Sequence, residues 1–337
     1  MVTLCSFIVN CQKVDNRGIV VTNKETVLHS LAHERERPIS GSALAQRLGI
    51  SRAAVWKAVE RLRDEGHLIE GKPKVGYRLV SMSPLFDHAR LQRALGGWDV
   101  QVFDTIDSTN RYAKWLESER AVVIALAQSQ GRGRLGRPFY SPRGGLYLSL
   151  KLPLSFAVSE ATLLTSMASV AVHRALVEAA GVVCAIKWVN DLYYREKKVC
   201  GILTEGVVGM ESGQLSSVVV GIGINLFTPF DGALKASAIS LYESEDEAAL
   251  SLDATQLVIR IVEHLSALIE RLPDRSYLSY YRSHSLLDGR SVVVHQGGGQ
   301  FVARVVAVDD DARLVVEDGE GVIHALGSGE VTIRLAR

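Results

Sequence analysis

The stretch QGRGRLGRPFYS at residues 130–141 places three arginines and three glycines within seven consecutive positions. Such a segment makes a poor helix and a poor strand, because glycine loses the most entropy on ordering and offers no side chain to pack. Glycines also let the backbone approach a ligand closely, and guanidinium groups bind phosphate or carboxylate oxygens through two parallel hydrogen bonds. The stretch therefore predicts a loop that closes on an anion, with a plain basic surface loop as the alternative.

Three further motifs contain residue types suited to a polar or anionic ligand. DSTN at residues 107–110 lies at a predicted strand-to-helix junction, where it could cap the helix or hydrogen-bond a ligand. KWVND at residues 187–191 places Lys187 on an otherwise apolar strand, and burying a lysine is costly without an anionic partner. GIGINL at residues 221–226 ends a predicted strand near Asn225, although close backbone contact would explain its glycines equally well.

The composition is that of a globular protein with 337 residues, 47% hydrophobic and 22% charged, and a formal net charge of +1. The length allows two or three domains, and the near-neutral charge argues against a protein that coats nucleic acid, although a local basic patch remains compatible with it. No run of about 18 apolar residues predicts a membrane span, and the N-terminus does not resemble a secretory signal. Four cysteines without CxxC spacing indicate reduced thiols, a cytoplasmic protein and no zinc site.

A winged helix-turn-helix is predicted over residues 24–82, after an extension at residues 1–23 that has no clear period and could be disordered. The first helix contains ETVLHSLAHER. A second, capped by Ser40 or Ser42, ends at Gly49, and a third starts after Ser51 and ends near residue 66. HLIEGKPKVGYRLVS then predicts two short strands around a turn, which together form a wing.

This N-terminal segment is predicted to bind DNA. Residues 41–80 contain eight Lys or Arg and four acidic residues, a local charge of +4. The start of a recognition helix and a basic wing would contact base edges and phosphates. The residues assigned to this contact are Ser51, Arg52, Ala53, Trp56, Lys57, Lys72 and Lys74. A small packing module with a solvated charged face is the alternative.

Two further domains are predicted after the wing. Over residues 83–282, strand-like and helix-like segments alternate, which indicates one α/β or α+β domain. Over residues 283–337, short alternating strands separated by Gly and Asp turns indicate a small β-barrel of about five strands.

Taken together and in this order, the motifs resemble the biotin protein ligases, in particular the bifunctional form that also represses the biotin operon. The motifs are ISRAAVWKAVERLR, DSTN, QSQGRGRLGR, KWVNDLYY, KVCGILTE, GIGINL and the ending SGEVTIR. The resemblance covers nearly the whole chain after residue 24. It implies a multidomain α+β fold with an N-terminal winged helix-turn-helix, a central α/β catalytic domain of the biotin/lipoate ligase type and a C-terminal SH3-like β-barrel.

The resemblance also implies an activity. Such enzymes condense biotin with ATP, with Mg²⁺ present, to give biotinyl-5′-AMP and pyrophosphate. They then transfer biotin to one lysine of a biotin carboxyl carrier protein of acetyl-CoA carboxylase. The adenylate would also be a corepressor, so that the adenylate-bound homodimer binds a two-half-site operator of biotin genes; no membrane partner is implied.

Site residues follow from the resemblance position by position. Arg134 and Lys187 are the implied catalytic residues. The implied biotin-binding residues are Ser108, Thr109, Asn110, Gln128, Arg132, Gly133, Arg134 and Lys187. The implied adenylate-binding residues are Gly131, Arg132, Arg134, Asn190 and Asn225, and Asp191 is the implied metal ligand.

Two positions depart from the family pattern, and three alternatives stay open. Leu135 stands where a further arginine is frequent, and Val189 stands where KWPND has proline. The protein could be a ligase whose winged domain no longer regulates, or a catalytically inactive biotin-sensing repressor, although the intact Arg132, Arg134 and Lys187 count against the latter. A lipoate ligase is the nearest enzymatic rival, but the glycine–arginine loop and the winged module favour a biotin ligase.

Overall fold

The structure is a computed structural model. It describes residues 13–14, 20–21, 23–34, 37–64, 67–72, 74–81, 86–154, 163–208, 215–296, 299–327 and 330–333. The chain divides into two compact units, Met1–Phe86 with Ala249–Leu252, and Asp87–Ala248 with Asp253–Arg337. None of the helices in these ranges combines the length and apolarity that a membrane crossing requires.

The first unit contains a helix-turn-helix followed by a two-stranded wing. Its helices are α1 (Asn23–His33), α2 (Gly41–Leu48) and α3 (Arg52–Asp64), and its strands are β1 (Lys13–Val14), β2 (Val20–Val21), β3 (Leu68–Lys72) and β4 (Gly76–Ser81). Ser40 caps α2 by accepting the Ala43 N–H at 3.1 Å, and Gly49 ends it in the left-handed conformation. The apolar faces of the three helices form one buried cluster with Ile69 and Leu79 of the wing, as the helical spacing predicts.

The predicted extension at residues 1–23 is described only in part. Strands β1 and β2 form a short antiparallel ladder between residues 13–14 and 20–21. The rest of that extension, apart from residue 23 at the start of α1, lies outside the described residues.

The second unit contains a seven-stranded sheet and a five-stranded sheet. The first sheet consists of β5 (Asp99–Ile106), β6 (Ala121–Gln128), β7 (Gly145–Pro153), β8 (Ala185–Lys187), β9 (Asp191–Tyr194), β10 (Lys197–Val208) and β11 (Leu215–Asn225). The second consists of β12 (Ser291–Gln296), β13 (Gly299–Val308), β14 (Leu314–Asp318), β15 (Ile323–Leu326) and β16 (Glu330–Ile333). The helices are α4 (His88–Ala94), α5 (Thr109–Trp115), α6 (Leu164–Ala180), α7 (Gly232–Ser237), α8 (Glu245–Ser251), α9 (Ala254–Glu270) and α10 (Tyr277–Ser283), of which α8 extends into Ala249–Leu252 of the first unit.

The seven-stranded sheet has the order β5-β6-β7-β11-β10-β9-β8. Only β5 and β6 pair in parallel, across the crossover helix α5, and every other neighbouring pair is antiparallel. Strand β11 is buried almost throughout, because strands flank it on both sides and helices α5 and α6 contact it. The five-stranded sheet, of order β15-β14-β13-β12-β16, is entirely antiparallel, as the alternating pattern of the C-terminal segment predicts.

The structure differs from the sequence-based expectation in one place that matters for the site. The segment AIKWVNDLYYREKKVCGILTEG, predicted as two strands and one turn, forms the three strands β8, β9 and β10. The additional turn lies at Trp188–Asn190, between β8 and β9, and the Trp188–Val189 peptide is cis. The short helices α4, α7, α8 and α10 have six or seven residues and were not predicted, because such short segments show little periodicity.

Candidate functional site

One cavity in the second unit brings together the predicted loop and motif residues. Its volume is about 230 Å³, and it is lined by the start of α5, the end of β6, the β6–β7 loop, the β8–β9 turn, β10 and β11. The predicted residues that line it are Ser108, Thr109, Asn110, Gln128, Arg132, Gly133, Arg134, Lys187, Asn190 and Asp191. Val331 of the five-stranded sheet lines it as well, so both sheets contribute to one cavity.

Two predicted residues, Gly131 and Asn225, are not among the lining residues. Gly131 is buried at the base of the loop, where an added Cβ would collide with the Ser141 hydroxyl. Asn225 is 4% exposed, and its side chain donates to the backbone carbonyls of Lys198 and Ile239 at 3.4 and 3.2 Å. Asn225 therefore holds the backbone beside the cavity, and Gly131 lets the loop pack closely at its base. Their predicted contact with an adenylate stays a prediction.

The glycine–arginine segment forms a narrow hairpin-like loop rather than an open coil. The Gly133 N–H donates to the Arg137 carbonyl at 2.8 Å, and the Phe139 N–H donates to the Gly131 carbonyl at 2.9 Å. At its tip, Leu135 has φ 56° and Gly136 has φ 73°, and the Leu135 side chain is 82% exposed. The frequent arginine that Leu135 replaces would thus stand at the exposed tip, which is compatible with an intact cavity.

The base of the cavity is a pair of facing glycines that make room for an aromatic ring. Gly201 of β10 is paired with Gly223 of β11 in the antiparallel register. A Cβ added to Gly223 would lie 2.8 Å from Cζ of Phe139, and one added to Gly201 would lie 3.0 Å from Cε2. Gly201 of KVCGIL and Gly223 of GIGINL are therefore required structurally, because the absence of a Cβ at each lets Phe139 pack directly on the sheet.

The DSTN motif is both a helix cap and part of the cavity wall. Ser108 has an extended backbone, and its hydroxyl accepts the Arg111 N–H at 3.4 Å, which makes it the N-cap of α5. Thr109 and Asn110 are 4% and 7% exposed and line the cavity. The capping interpretation and the ligand interpretation of the sequence are therefore compatible.

Among the charged residues that line the cavity, cations outnumber carboxylates. The lining residues include five cations, Arg132, Arg134, Arg137, Lys187 and Lys198, and one carboxylate, Asp191. Sequence reasoning did not assign Arg137 or Lys198 to the site, although the regular arginine spacing and the KVCGIL motif contained that signal. A wall with this excess of positive charge stabilises anions, since mutual repulsion among fixed cations is relieved when phosphate or carboxylate binds.

The two lysines are held by different neighbours. Lys198 Nζ lies 2.7 Å from Asp191 Oδ1 and 5.8 Å from the Phe139 ring centroid. Lys187 Nζ lies 5.5 Å from the centroid of Tyr193, and burial raises the pKa of Tyr193 to about 12, so its phenol stays neutral. Lys187 thus contacts an aromatic face and adds positive charge to the cavity wall.

Asp191, the predicted metal ligand, has a cationic neighbour. Its carboxylate already contacts the Lys198 ammonium, and it is the sole acidic residue among those lining the cavity. Across the described ranges, no three His, Cys, Asp or Glu side chains are grouped so that they could hold a metal. The predicted metal ligation by Asp191 therefore stays a prediction.

The first unit presents a separate basic surface. A groove of about 670 Å³ is lined by the start of α2, the start of α3 and the wing. The predicted DNA-binding residues that line it are Arg52, Ala53, Trp56, Lys72 and Lys74. The Trp56 side chain is 54% exposed in this groove.

The two remaining predicted DNA contacts, Ser51 and Lys57, lie outside that groove, and both are exposed. Ser51 accepts the Ala54 N–H at 3.1 Å and so caps α3. Its hydroxyl is already used by the helix, whereas Lys57 remains a candidate for a phosphate contact.

Comparison with known proteins agrees with this geometry. Three family models match the chain, namely the biotin/lipoate A/B protein ligase family over residues 102–225, an HTH domain over residues 23–78 and the biotin protein ligase C-terminal domain over residues 289–334. The bifunctional ligase/repressor BirA of Bacillus subtilis is 32% identical over 304 residues, which are 84% of this chain and 90% of that protein. The chain belongs to the bifunctional biotin protein ligase/repressor family.

Other members of the biotin protein ligase family show the same relationship. The bifunctional ligase/repressor BirA of Escherichia coli K12 is 31% identical over 307 residues, 88% of this chain and 93% of that protein. The biotin protein ligase of Aquifex aeolicus, solved in complex with biotin and ATP, superimposes on this chain with a TM-score of 0.58 and is 28% identical in sequence. The superposition covers 71% of this chain and 99% of the Aquifex aeolicus chain. The predicted family, fold class, ligase class and repressor role are confirmed, and the match to the C-terminal domain model favours a biotin ligase over a lipoate ligase.

Proposed function

We propose that the 230 Å³ cavity binds biotin and ATP and forms biotinyl-5′-AMP, which then biotinylates a lysine of a biotin carboxyl carrier protein. One observation supports this most directly: the polar side chains of DSTN and the cations of the loop and the β8–β9 turn line one cavity. Biotin has a polar ureido end and a carboxylate end, so a ligand that spans a hydrogen-bonding region and a cationic region matches this wall.

The chemistry assigns the cations a definite task. In the first step a biotin carboxylate oxygen bonds to the α-phosphorus of ATP, the bond to the β-phosphate oxygen breaks, and pyrophosphate leaves. Two anions must approach each other, so fixed positive charge from Arg132, Arg134 and Lys187 lowers the barrier. In the second step the carrier lysine nitrogen bonds to the biotinyl carbonyl carbon, loses a proton, and releases AMP.

The loop has a second role, because a mixed anhydride hydrolyses readily in water. Arg134 Nη1 donates to Asn190 Oδ1 at 3.1 Å, which connects the loop to the β8–β9 turn across the cavity. This contact closes the cavity over the adenylate and excludes water until the carrier protein arrives. Magnesium enters with ATP as part of the substrate.

A labelled-biotin assay tests these assignments. Wild-type protein with ATP and magnesium should transfer biotin to a biotin carboxyl carrier domain, and Arg134→Ala should release free biotinyl-5′-AMP instead of retaining it. Arg93→Ala on α4 is the matched control, because Arg93 is exposed and does not line the cavity. A wild-type protein that binds biotin without transferring it would favour the inactive-sensor alternative.

The first unit is proposed to bind the operator of biotin genes as part of an adenylate-bound homodimer. The basic groove beside α3 and the wing supports the DNA contact, and two copies would double the number of phosphate contacts. Sedimentation and DNA-binding measurements with and without biotin and ATP test this. A protein that stays monomeric and does not bind DNA even with biotin and ATP present would favour the ligase-only alternative.

Two further proposals concern organisation and location. We place the domain boundaries at residues 24–82, 83–282 and 283–337. A cytoplasmic location is supported by Cys184 and Cys200, which are both free thiols, and burial raises the pKa of each.

A further inference from the structure

An arginine in the last turn of α3 joins that helix to the wing. Arg63 donates through Nε and Nη2 to the Ile69 carbonyl of β3, at 3.0 and 2.8 Å. Its Nη1 donates to Glu60 Oε1 at 2.7 Å, one turn earlier on the same helix. The guanidinium group therefore bridges the two elements on either side of the basic groove, and Arg63 itself lines that groove.

Strand β3 has a glycine where the guanidinium group packs against it. A Cβ added to Gly71 would lie 2.9 Å from Arg63 Nη2 and 3.3 Å from two ring atoms of Tyr77, the residue paired with Gly71 on β4. Gly71 is not among the residues with positive φ, so close packing and not backbone conformation requires a glycine here. The wing thus leaves room for the Arg63 side chain.

The strand pairing of the wing is interrupted beside this contact. The register of β3 against β4 shifts between Leu68 and Ile69, which leaves Val80 as an extra residue in β4. A bulge of this kind bends the strand and disrupts the ladder locally. Arg63 donates to the carbonyl of Ile69, so it supports the wing at the interruption.

The other strand of the wing is held from a different side. Ile39 and Tyr77 exchange backbone hydrogen bonds of 2.9 and 2.8 Å, which join β4 to the segment before α2. The base of the wing is therefore fixed to α2 through β4 and to α3 through Arg63. Lys72 lies three residues beyond Ile69, and both Lys72 and Lys74 line the groove opposite α3.

We propose that Arg63 is a positioning residue for DNA binding, which holds the wing beside α3 so that Lys72 and Lys74 reach phosphates while the start of α3 contacts bases. The inference rests on the proposed DNA binding by the basic groove. Three of the five guanidinium N–H groups are donated within the unit, and Glu60 balances the charge of Arg63. These contacts favour an action through the wing over a phosphate contact by Arg63 itself.

A double-mutant cycle between Arg63 and Lys72 tests the inference. The probe is a DNA duplex selected from a random-sequence pool by the wild-type protein with biotin and ATP. One lysine–phosphate contact contributes about 0.9 to the slope of log K against log salt, which is about eightfold in Kd between about 1 M and about 0.1 M salt. At about 0.1 M salt, Lys72→Ala should therefore raise Kd about eightfold for each protomer bound.

The cycle is completed by Arg63→Met, which removes the donors and keeps an apolar stem. Because the wing is no longer held against α3, Arg63→Met alone should raise Kd for each protomer by about eightfold to sixtyfold, the range from one to two lost lysine contacts. In this background, Lys72→Ala should raise Kd by less than about threefold, since its contact is already lost.

Two further variants separate positioning from loss of charge. Arg61→Met is the matched control, because it removes the same charge from an exposed position on α3 that does not line the groove. In that background Lys72→Ala should keep its full effect. Gly71→Ala preserves the net charge but displaces the guanidinium group, so it should reduce the effect of Lys72→Ala as Arg63→Met does. It also carries the test alone if circular dichroism shows that Arg63→Met is unfolded.

The outcomes distinguish this inference from the proposed function. An equal effect of Lys72→Ala in the wild type, Arg63→Met and Gly71→Ala would overturn the positioning role of Arg63. A wild-type protein that selects no duplex, or a Lys72→Ala variant with wild-type Kd, would instead overturn the proposed DNA contact and this inference with it.

Discussion

The glycine at position 223 allows a quantitative test of how the loop closes. In Gly223→Ala, the new Cβ would lie 2.8 Å from Cζ of Phe139 and nearer still to its neighbouring ring atom, whereas ordinary contact begins at 3.4 Å. Cζ must therefore move by at least about 0.6 Å, and the C-terminal arm of the loop must move with it. Overpacking of this kind costs about 1–3 kcal/mol, and we expect the lower half because Phe139 is only partly buried.

Thermal unfolding and adenylate release measure the two consequences. For a unit of this size, each kcal/mol corresponds to a Tm decrease of about 2–4 °C, so a decrease of about 2–8 °C is expected. Displacement of the loop should also speed the loss of bound biotinyl-5′-AMP, followed by release of labelled adenylate from the purified complex. Gly96→Ala is the control, since an added Cβ there meets no atom within 4 Å.

A second variant shows whether the ring is the cause. Gly223→Ala/Phe139→Leu removes the colliding ring atoms and should restore part of the lost Tm. If Gly223→Ala has a wild-type Tm and retains adenylate normally, the ring does not rest on β11 in solution and the account of loop closure fails.

Three other predictions concern separate parts of the molecule. Trp188→Phe removes the indole N–H that donates to the Ala312 carbonyl at 2.9 Å and leaves a buried acceptor unpaired. We expect the free energy of unfolding, measured in urea, to fall by about 1–3 kcal/mol. Because Trp188 also lines the cavity, the KM for ATP should rise. Burial lowers the pKa of His173 from 6.5 to about 4, so the neutral form stabilises the fold above pH 6.5 and that stability is lost as pH falls towards 4. Between pH 6.5 and 4, the free energy of unfolding of the wild type, measured in urea, should therefore fall by up to about 1.4 kcal/mol per pH unit more than that of His173→Gln. Equal pH dependence of the two free energies would contradict the assignment. Lys72→Ala in the wing should weaken DNA binding to all sequences alike and reduce the slope of log K against log salt by about 0.9, and an unchanged slope would place Lys72 away from phosphate.

Local sequence determined the elements of the first unit and their ends. The capping serines Ser40 and Ser51 satisfy free N–H groups at their own helix starts, and Gly49 supplies the left-handed conformation that ends α2. These effects act within three or four residues, so they are present in the sequence irrespective of the tertiary fold. The same holds for the five strands of the C-terminal sheet, whose alternation and turn residues are local signals.

The sequence also determined which motifs form the site, since the loop, DSTN and KWVND all line one cavity. It did so through the order and spacing of the motifs, which match those of a known family. Individual patterns had left each motif with a plausible structural alternative, and the cap formed by Ser108 shows that such an alternative can be correct at the same time.

Only the tertiary structure decided what stands behind the cavity wall. Ser149 and Glu205 belong to strands that are about 40 and 95 residues from Asn110 in sequence, yet each hydrogen-bonds its amide. The same is true of the contact between Lys198 and Asp191, and of Phe139 on Gly223. Strand order in the sheet sets these juxtapositions, and strand order depends on long-range packing that no local spacing encodes. The residue types that can bind an anion were therefore evident from the sequence, whereas the contacts that hold them in place required the fold.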